Sequence, residues 1–213
     1  MSNAVLSESD GPPAAVKTGF IVALVLAAWF AAVSFMGATG ALVTAPGEQS
    51  PALLITVLGP LVVFFAAFRL SRSFHDFVAT ADLRLITSIQ AWRAGGLVFI
   101  ALSAYGILPG FFAWPAGWGD IAIGVTAPWI LLALISKPGF RKSTAFRVWN
   151  WLGLLDLAVA IGLGALSSAT ATGFPGEITT APMVLLPLVL IPAYLVPIFA
   201  MLHFAALYQA RRA

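Results

Sequence analysis

Six apolar runs, each long enough to cross a bilayer, recur along the chain at about 18–40, 52–71, 84–107, 117–136, 146–167 and 181–207. An α-helix rises about 1.5 Å per residue, so roughly 20 apolar residues span a hydrocarbon core about 30 Å thick. That core offers no water to open backbone groups, so a spanning segment must be helical or belong to a closed barrel. Runs of this length are helical, and with short connections they use nearly all of the 213 residues. The sequence therefore predicts an all-α fold, a polytopic membrane helix bundle over 18–208 with short cytoplasmic tails over 1–17 and 209–213. Charge content agrees: 9% of residues are charged, against roughly 25% in a soluble domain.

Breaker-rich segments separate the runs. Ala45-Pro46-Gly47 to Pro51 is read as a turn, Leu108-Pro109-Gly110 as the end of the third helix, and Lys137-Pro138-Gly139 as the end of the fourth. The connection from Arg69 to Arg84 is expected to hold a short interfacial helix or the start of helix three. The first run, Phe20 to about Met36, exceeds the roughly 7–15-residue core of a signal peptide and is expected to stay as the first span.

Basic residues set the orientation. Lys17, Arg69, Arg72, Arg84, Lys137, Arg141, Lys142, Arg147, Arg211 and Arg212 flank the N-terminus, alternate connections and the C-terminus, while the connections near Glu48, Pro109 and Glu177 have none. Six helices with both ends in the cytoplasm satisfy the positive-inside rule without exception; five or seven would not. The net charge of +3 thus reads as topology rather than as a nucleic-acid surface. Cysteine is absent, which removes disulfides, thiolate metal sites and cysteine nucleophiles. Short loops and the lack of cysteine point to a bacterial inner membrane. Trp114 and Trp118 are placed at the outer interface and Trp149 and Trp151 at the inner one, as aromatic belts.

Three ionisable groups fall well inside spans: Arg93, Asp156 and His203. Burying each costs roughly 3 kcal/mol on insertion scales, so partners or water are required. Arg93 and Asp156 each follow a boundary arginine by nine positions, and His203 precedes Arg211 by eight, which puts all three in one layer, roughly 12–14 Å deep. Gly153, Asp156, Ala160 and Gly164 mark a small-residue face on helix five. An Arg93–Asp156 ion pair is predicted, with Gln90, Asn150 and His203 nearby.

Asp120 is a further candidate, placed near the outer end of helix four and roughly 10 Å from the layer of Asp156. Gly117 to Asp120 and Gly153 to Asp156 both begin a Gly-x-x-Asp-apolar-Ala-apolar string, 36 positions apart on antiparallel helices. An inverted repeat would leave that pattern, and so biased a composition also produces it by chance. Gly117-Trp118-Gly119-Asp120 also resembles the second catalytic motif of intramembrane aspartyl proteases. That resemblance covers four residues, and helices one to three contain no aspartate within a span to act as the partner acid. A haem held by two histidines would need His75 and His203 face to face, but His75 belongs to a cytoplasmic connection. No phosphate loop or metalloprotease motif occurs.

Pro182, Pro187, Pro192 and Pro197 interrupt the sixth run, so it is expected to be kinked or partly unwound, with carbonyls freed at Met183, Leu188 and Ala193. Together these features favour a small transporter or permease-like protein. Its polar layer would bind an ion, proton or small solute beside a mobile helix six. The alternative is a structural or accessory membrane subunit, and the third reading is an intramembrane enzyme using Asp120 or Asp156. The bilayer is the expected partner, with neither cofactor, metal nor nucleic acid; the oligomeric state is not encoded legibly.

Overall fold

The computed structural model describes residues 14–48 and 50–212, so most of the expected N-terminal tail lies outside the described residues. Among the described residues the ordered elements are helical, and six of them are long and apolar enough to span a membrane. The spans are α1 (Ala14–Thr39), α2 (Pro51–Leu70), a composite of α4 (Leu83–Ile89), a 3-10 segment (Gln90–Gly96) and α5 (Leu97–Ala104), then α6 (Gly110–Ser136) and α7 (Thr144–Ala169). The last comprises a π segment (Ile191–Leu195) and α8 (Val196–Arg212). The short helix α3 (Arg72–Thr80) lies between α2 and α4.

Caps explain the boundaries. Ser50 accepts from the Leu53 N–H at 3.2 Å and Pro51 opens α2, where a missing N–H costs nothing. Ser71 ends α2 and caps α3, Asp82 caps α4, and Ser143 caps α7. The connection from Arg69 to Arg84 thus forms a separate helix, α3, whose aromatic side carries Phe74 and Phe77 onto the core.

Two boundaries differ from the sequence expectation. Helix four begins at Gly110 rather than 117, because Pro109 sits at its N-cap and Pro115 is accommodated inside it. The sixth span begins at Ile191 rather than 181: Ala181–Val184 is a 3-10 turn and α-helix resumes only at Val196. Prolines at 182, 187 and 192 each remove an N–H and crowd the preceding turn, so continuous helix fails there. The Leu188 carbonyl finds its partner locally, in the Ile191 N–H at 3.0 Å.

The bundle is unevenly buried. In the most apolar window of the first span 6% of positions are buried, against 44% in that of the last, so α1 is peripheral and α8 central. At the basic-rich end Phe64, Phe68, Phe204 and Tyr208 pack edge-to-face. At the other end Phe99, Leu108, Phe112 and Met183 form a second core. Between them the composite third span crosses α6 at very short range. A Cβ on Gly96 would stand 2.7 Å from the Gly117 carbonyl oxygen, and Gly124 lies against the Arg93–Ala94 backbone.

Candidate functional site: one arginine between two carboxylates

Close approach of the third span to α6 places the Arg93 side chain in the middle of the bundle, with none of it exposed. Its Nε donates to Asp120 Oδ1 at 2.7 Å, and its Nη2 donates to Asp156 Oδ2. Nη1 donates to the Gly153 carbonyl at 3.3 Å and contacts His203 Nε2 at 3.0 Å. The guanidinium carbon lies 5.8 Å from the centre of the Phe199 ring, within cation–π range. Arg93 therefore joins the third span to α6, α7 and α8.

Hydrogen-bond direction fixes the tautomer of His203. Arginine can only donate, so His203 Nε2 accepts and carries no proton. The proton is then on Nδ1, which donates to Asn150 Oδ1 at 2.9 Å. Asn150 completes the relay by donating from Nδ2 to the Phe146 carbonyl at 2.8 Å. The imidazole is neutral in this arrangement, and every polar atom of the His203–Asn150 pair is matched.

Glycines make room for the cluster. Gly119 sits so close to Asp156 that a Cβ there would overlap its carboxyl group, and Gly153 does the same beneath the His203 ring. One cation faces two carboxylates, whose side chains are 16% (Asp120) and 12% (Asp156) exposed.

The structure brings Arg93, Asp156, Asp120, His203 and Asn150 together. Asp120 corrects the sequence expectation, which had set it apart from Asp156 in depth. Because α6 starts at Gly110, Asp120 lies ten residues inside it, roughly 15 Å from its end. The 3-10 segment rises about 2.0 Å per residue, which carries Arg93 deeper by roughly 2 Å. Gln90 stays outside the network: its Nε2 donates to the Phe199 carbonyl at 3.3 Å, and its buried Oε1 has no partner among the described residues. Trp149 is also corrected. It is 8% exposed rather than in an interfacial belt, donates to Thr126 Oγ1 at 2.9 Å and packs edge-on to His203. Trp114, Trp118 and Trp151 are exposed.

His75 is remote from this cluster in role. Its Nε2 meets the Tyr208 hydroxyl at 2.6 Å and its Nδ1 meets Asp76 at 3.0 Å. A cavity of about 320 Å³ opens among Leu42, Phe99, Phe112, Ile161, Thr180 and Val196. None of Arg93, Asp120, Asp156 or His203 lines it. Val196 packs with Leu157 and Phe199 between the cavity and the guanidinium.

Fold and site define an integral membrane protein of six helical spans, with a buried arginine–dicarboxylate cluster linking four of them. The chain belongs to the family described as "Domain of unknown function (DUF8737)", which matches residues 50–211 and so includes every member of the cluster but not α1. It is similar to a cytochrome b of Rhodobacter capsulatus, with 28% identity over 155 residues, 71% of this chain and 31% of that protein. A second Rhodobacter capsulatus cytochrome b matches with the same identity and coverage, 71% of this chain and 31% of its own length. The chain thus spans about a third of the length of these relatives. No solved structure matches.

Proposed function

We propose that this protein is an architectural membrane subunit in which Arg93 clamps four spans in register. The observation that carries this reading is the enclosure of the guanidinium: its side chain is fully buried and its N–H groups reach acceptors on α6, α7 and α8. Buried polar groups of this kind are well suited to fixing register, since every shifted packing leaves them unpaired in a dry interior. The similarity to part of a cytochrome b accords with a membrane subunit. A haem held by paired histidines does not fit these residues. Both ring nitrogens of His203 and of His75 are engaged, and His203 is sealed between Gly153, Trp149 and Arg93.

A second reading, proton or ion translocation, draws on one observation: two carboxylates share a single guanidinium, which leaves the cluster one negative charge in excess when both are ionised. Protease chemistry draws less support, because Arg93 rather than a water stands between the acids. Reconstituted vesicles decide the first two. The clamp reading expects proton and monovalent-ion leak equal to that of empty vesicles, unchanged in Asp156→Asn. A flux above that baseline, abolished by Asp156→Asn in a folded protein, would replace it with translocation.

A further inference from the structure

At the basic-rich end a second cavity, about 500 Å³, lies between the α3–α4 junction and the turn after α6. Arg84, Lys137 and Arg141 line it, with Asp82 as the acidic member. Asp82 is already committed, its Oδ1 capping α4 through the Arg84 N–H at 2.8 Å. Among the described residues none of the three cations has a carboxylate partner within ion-pair distance. Two other basic residues of the chain are engaged elsewhere: Arg212 lies over the Tyr208 ring at 5.1 Å, and Arg147 donates to Thr144 at 3.4 Å.

The site is built rather than incidental. Gly139, at φ +80°, closes the turn that brings Lys137 and Arg141 onto one loop, with the Phe140 N–H donating to the Lys137 carbonyl at 3.1 Å. On the opposite wall, buried Gln209 donates to the Val78 and Ala81 carbonyls, both at 2.9 Å, and so pins the α3–α4 junction to α8. Beside the cations the lining includes Ile135, 52% exposed on a span that meets hydrocarbon.

We infer that this cavity binds the phosphate head group of an acidic phospholipid, with acyl chains lying along Ile135. Three cations without a carboxylate partner among the described residues supply the charge, and the adjoining apolar flank selects a lipid over a free anion. Each cation near an anionic surface strengthens binding about five-fold, so three contribute on the order of 100-fold.

The test is a titration of purified protein in zwitterionic detergent with fluorescent phosphatidylglycerol, phosphatidylcholine and, as competitor, inorganic phosphate. Wild type should take up phosphatidylglycerol in preference to phosphatidylcholine. The variant R84Q/K137Q/R141Q should bind it on the order of 100-fold more weakly. The charge-matched R69Q/R72Q/R211Q, whose changes lie outside the cavity, should change affinity less than a few-fold. Equal weakening in both variants would reduce the effect to diffuse positive charge and overturn the site. Equal uptake of both lipids, or displacement by inorganic phosphate at matched concentration, would also overturn the assignment. Should the triple variant not fold, Arg141→Gln alone carries the test, with about a five-fold loss expected.

Discussion

Replacing Arg93 with methionine removes the only cation of the buried cluster and leaves Asp120 and Asp156 facing each other across the space it filled. Breaking a buried pair by deleting one partner typically costs 3–5 kcal/mol. The His203 Nε2 and the Gly153 carbonyl also lose a donor, each worth about 0.6 kcal/mol inside a membrane protein. The expected loss for Arg93→Met is therefore about 4–6 kcal/mol, a large part of the roughly 5–15 kcal/mol that holds a domain folded. Removing the acids should behave differently. Asp156→Asn leaves Arg93 paired with Asp120, one charge against one, and should cost about 1 kcal/mol or less. In the variant R93M/D120N/D156N no ion remains, and all but about 1–2 kcal/mol of the loss should return. Unfolding in mixed micelles of increasing dodecyl sulfate content, followed by tryptophan fluorescence and circular dichroism, measures all four proteins. An Arg93→Met variant within about 1 kcal/mol of wild type would refute the clamp. So would a triple variant no more stable than Arg93→Met.

Gly119→Ala places a methyl group on the Asp156 carboxyl and should cost about 1–3 kcal/mol in the same assay. Gly162→Ala, with nothing within 4 Å of the new atom, should be neutral or slightly stabilising. In the 172–177 loop, hydrogen bonds from the Thr172 hydroxyl and then from the Thr172 and Gly173 N–H groups hold Glu177 below its ordinary carboxyl value of 4.5. A depressed value means that the loop's stabilisation is present above pH 4.5 and is lost as pH falls through the folded value. The amide NMR shifts of Thr172 and Gly173 should report that titration and move at neutral pH in Glu177→Gln. Orientation is testable because the chain lacks cysteine: in right-side-out vesicles a membrane-impermeant maleimide should label Glu48→Cys and leave Lys142→Cys unmodified. The reverse labelling would invert the topology.

Span number was legible because length and apolarity are summed over about 20 residues, and the alternation of lysine and arginine supplies a second, independent periodicity. Which face of each helix is buried was much less legible. In water an apolar stripe marks the core, but in a bilayer the lipid-facing side is apolar too. That is why Trp149 was assigned to an interface although it packs on His203. Only polar residues announce an inward face, and they did so for Arg93, Asp156 and His203. The start of α6 was hidden for a different reason. Leu108-Pro109-Gly110 read as the end of helix three, yet Pro109 is the N-cap of α6, where a missing N–H has no helical acceptor to lose. Missing those residues moved Asp120 to the wrong depth. The unwinding of the sixth run was legible in its repeated prolines, and only the start of the regular span, Ile191 rather than 181, was not.

The paired Gly-x-x-Asp strings acquire a structural meaning from the cluster. A glycine three residues before an aspartate lies on the same helix face, about one turn away. Gly117 uses that position to receive Ile100 and the Gly96 carbonyl, which draws α6 against the third span beside Asp120. Gly153 uses it to receive the His203 ring, which draws α8 against α7 beside Asp156. In both cases the glycine sets the helix separation and the acid occupies the space that separation creates, within reach of the same guanidinium. A shared packing requirement therefore accounts for the recurrence, with no need of duplication. It also explains why the family match can omit α1 and still contain the whole clamp: each glycine and each acid lies on the third span, α6, α7 or α8, or packs against one of them.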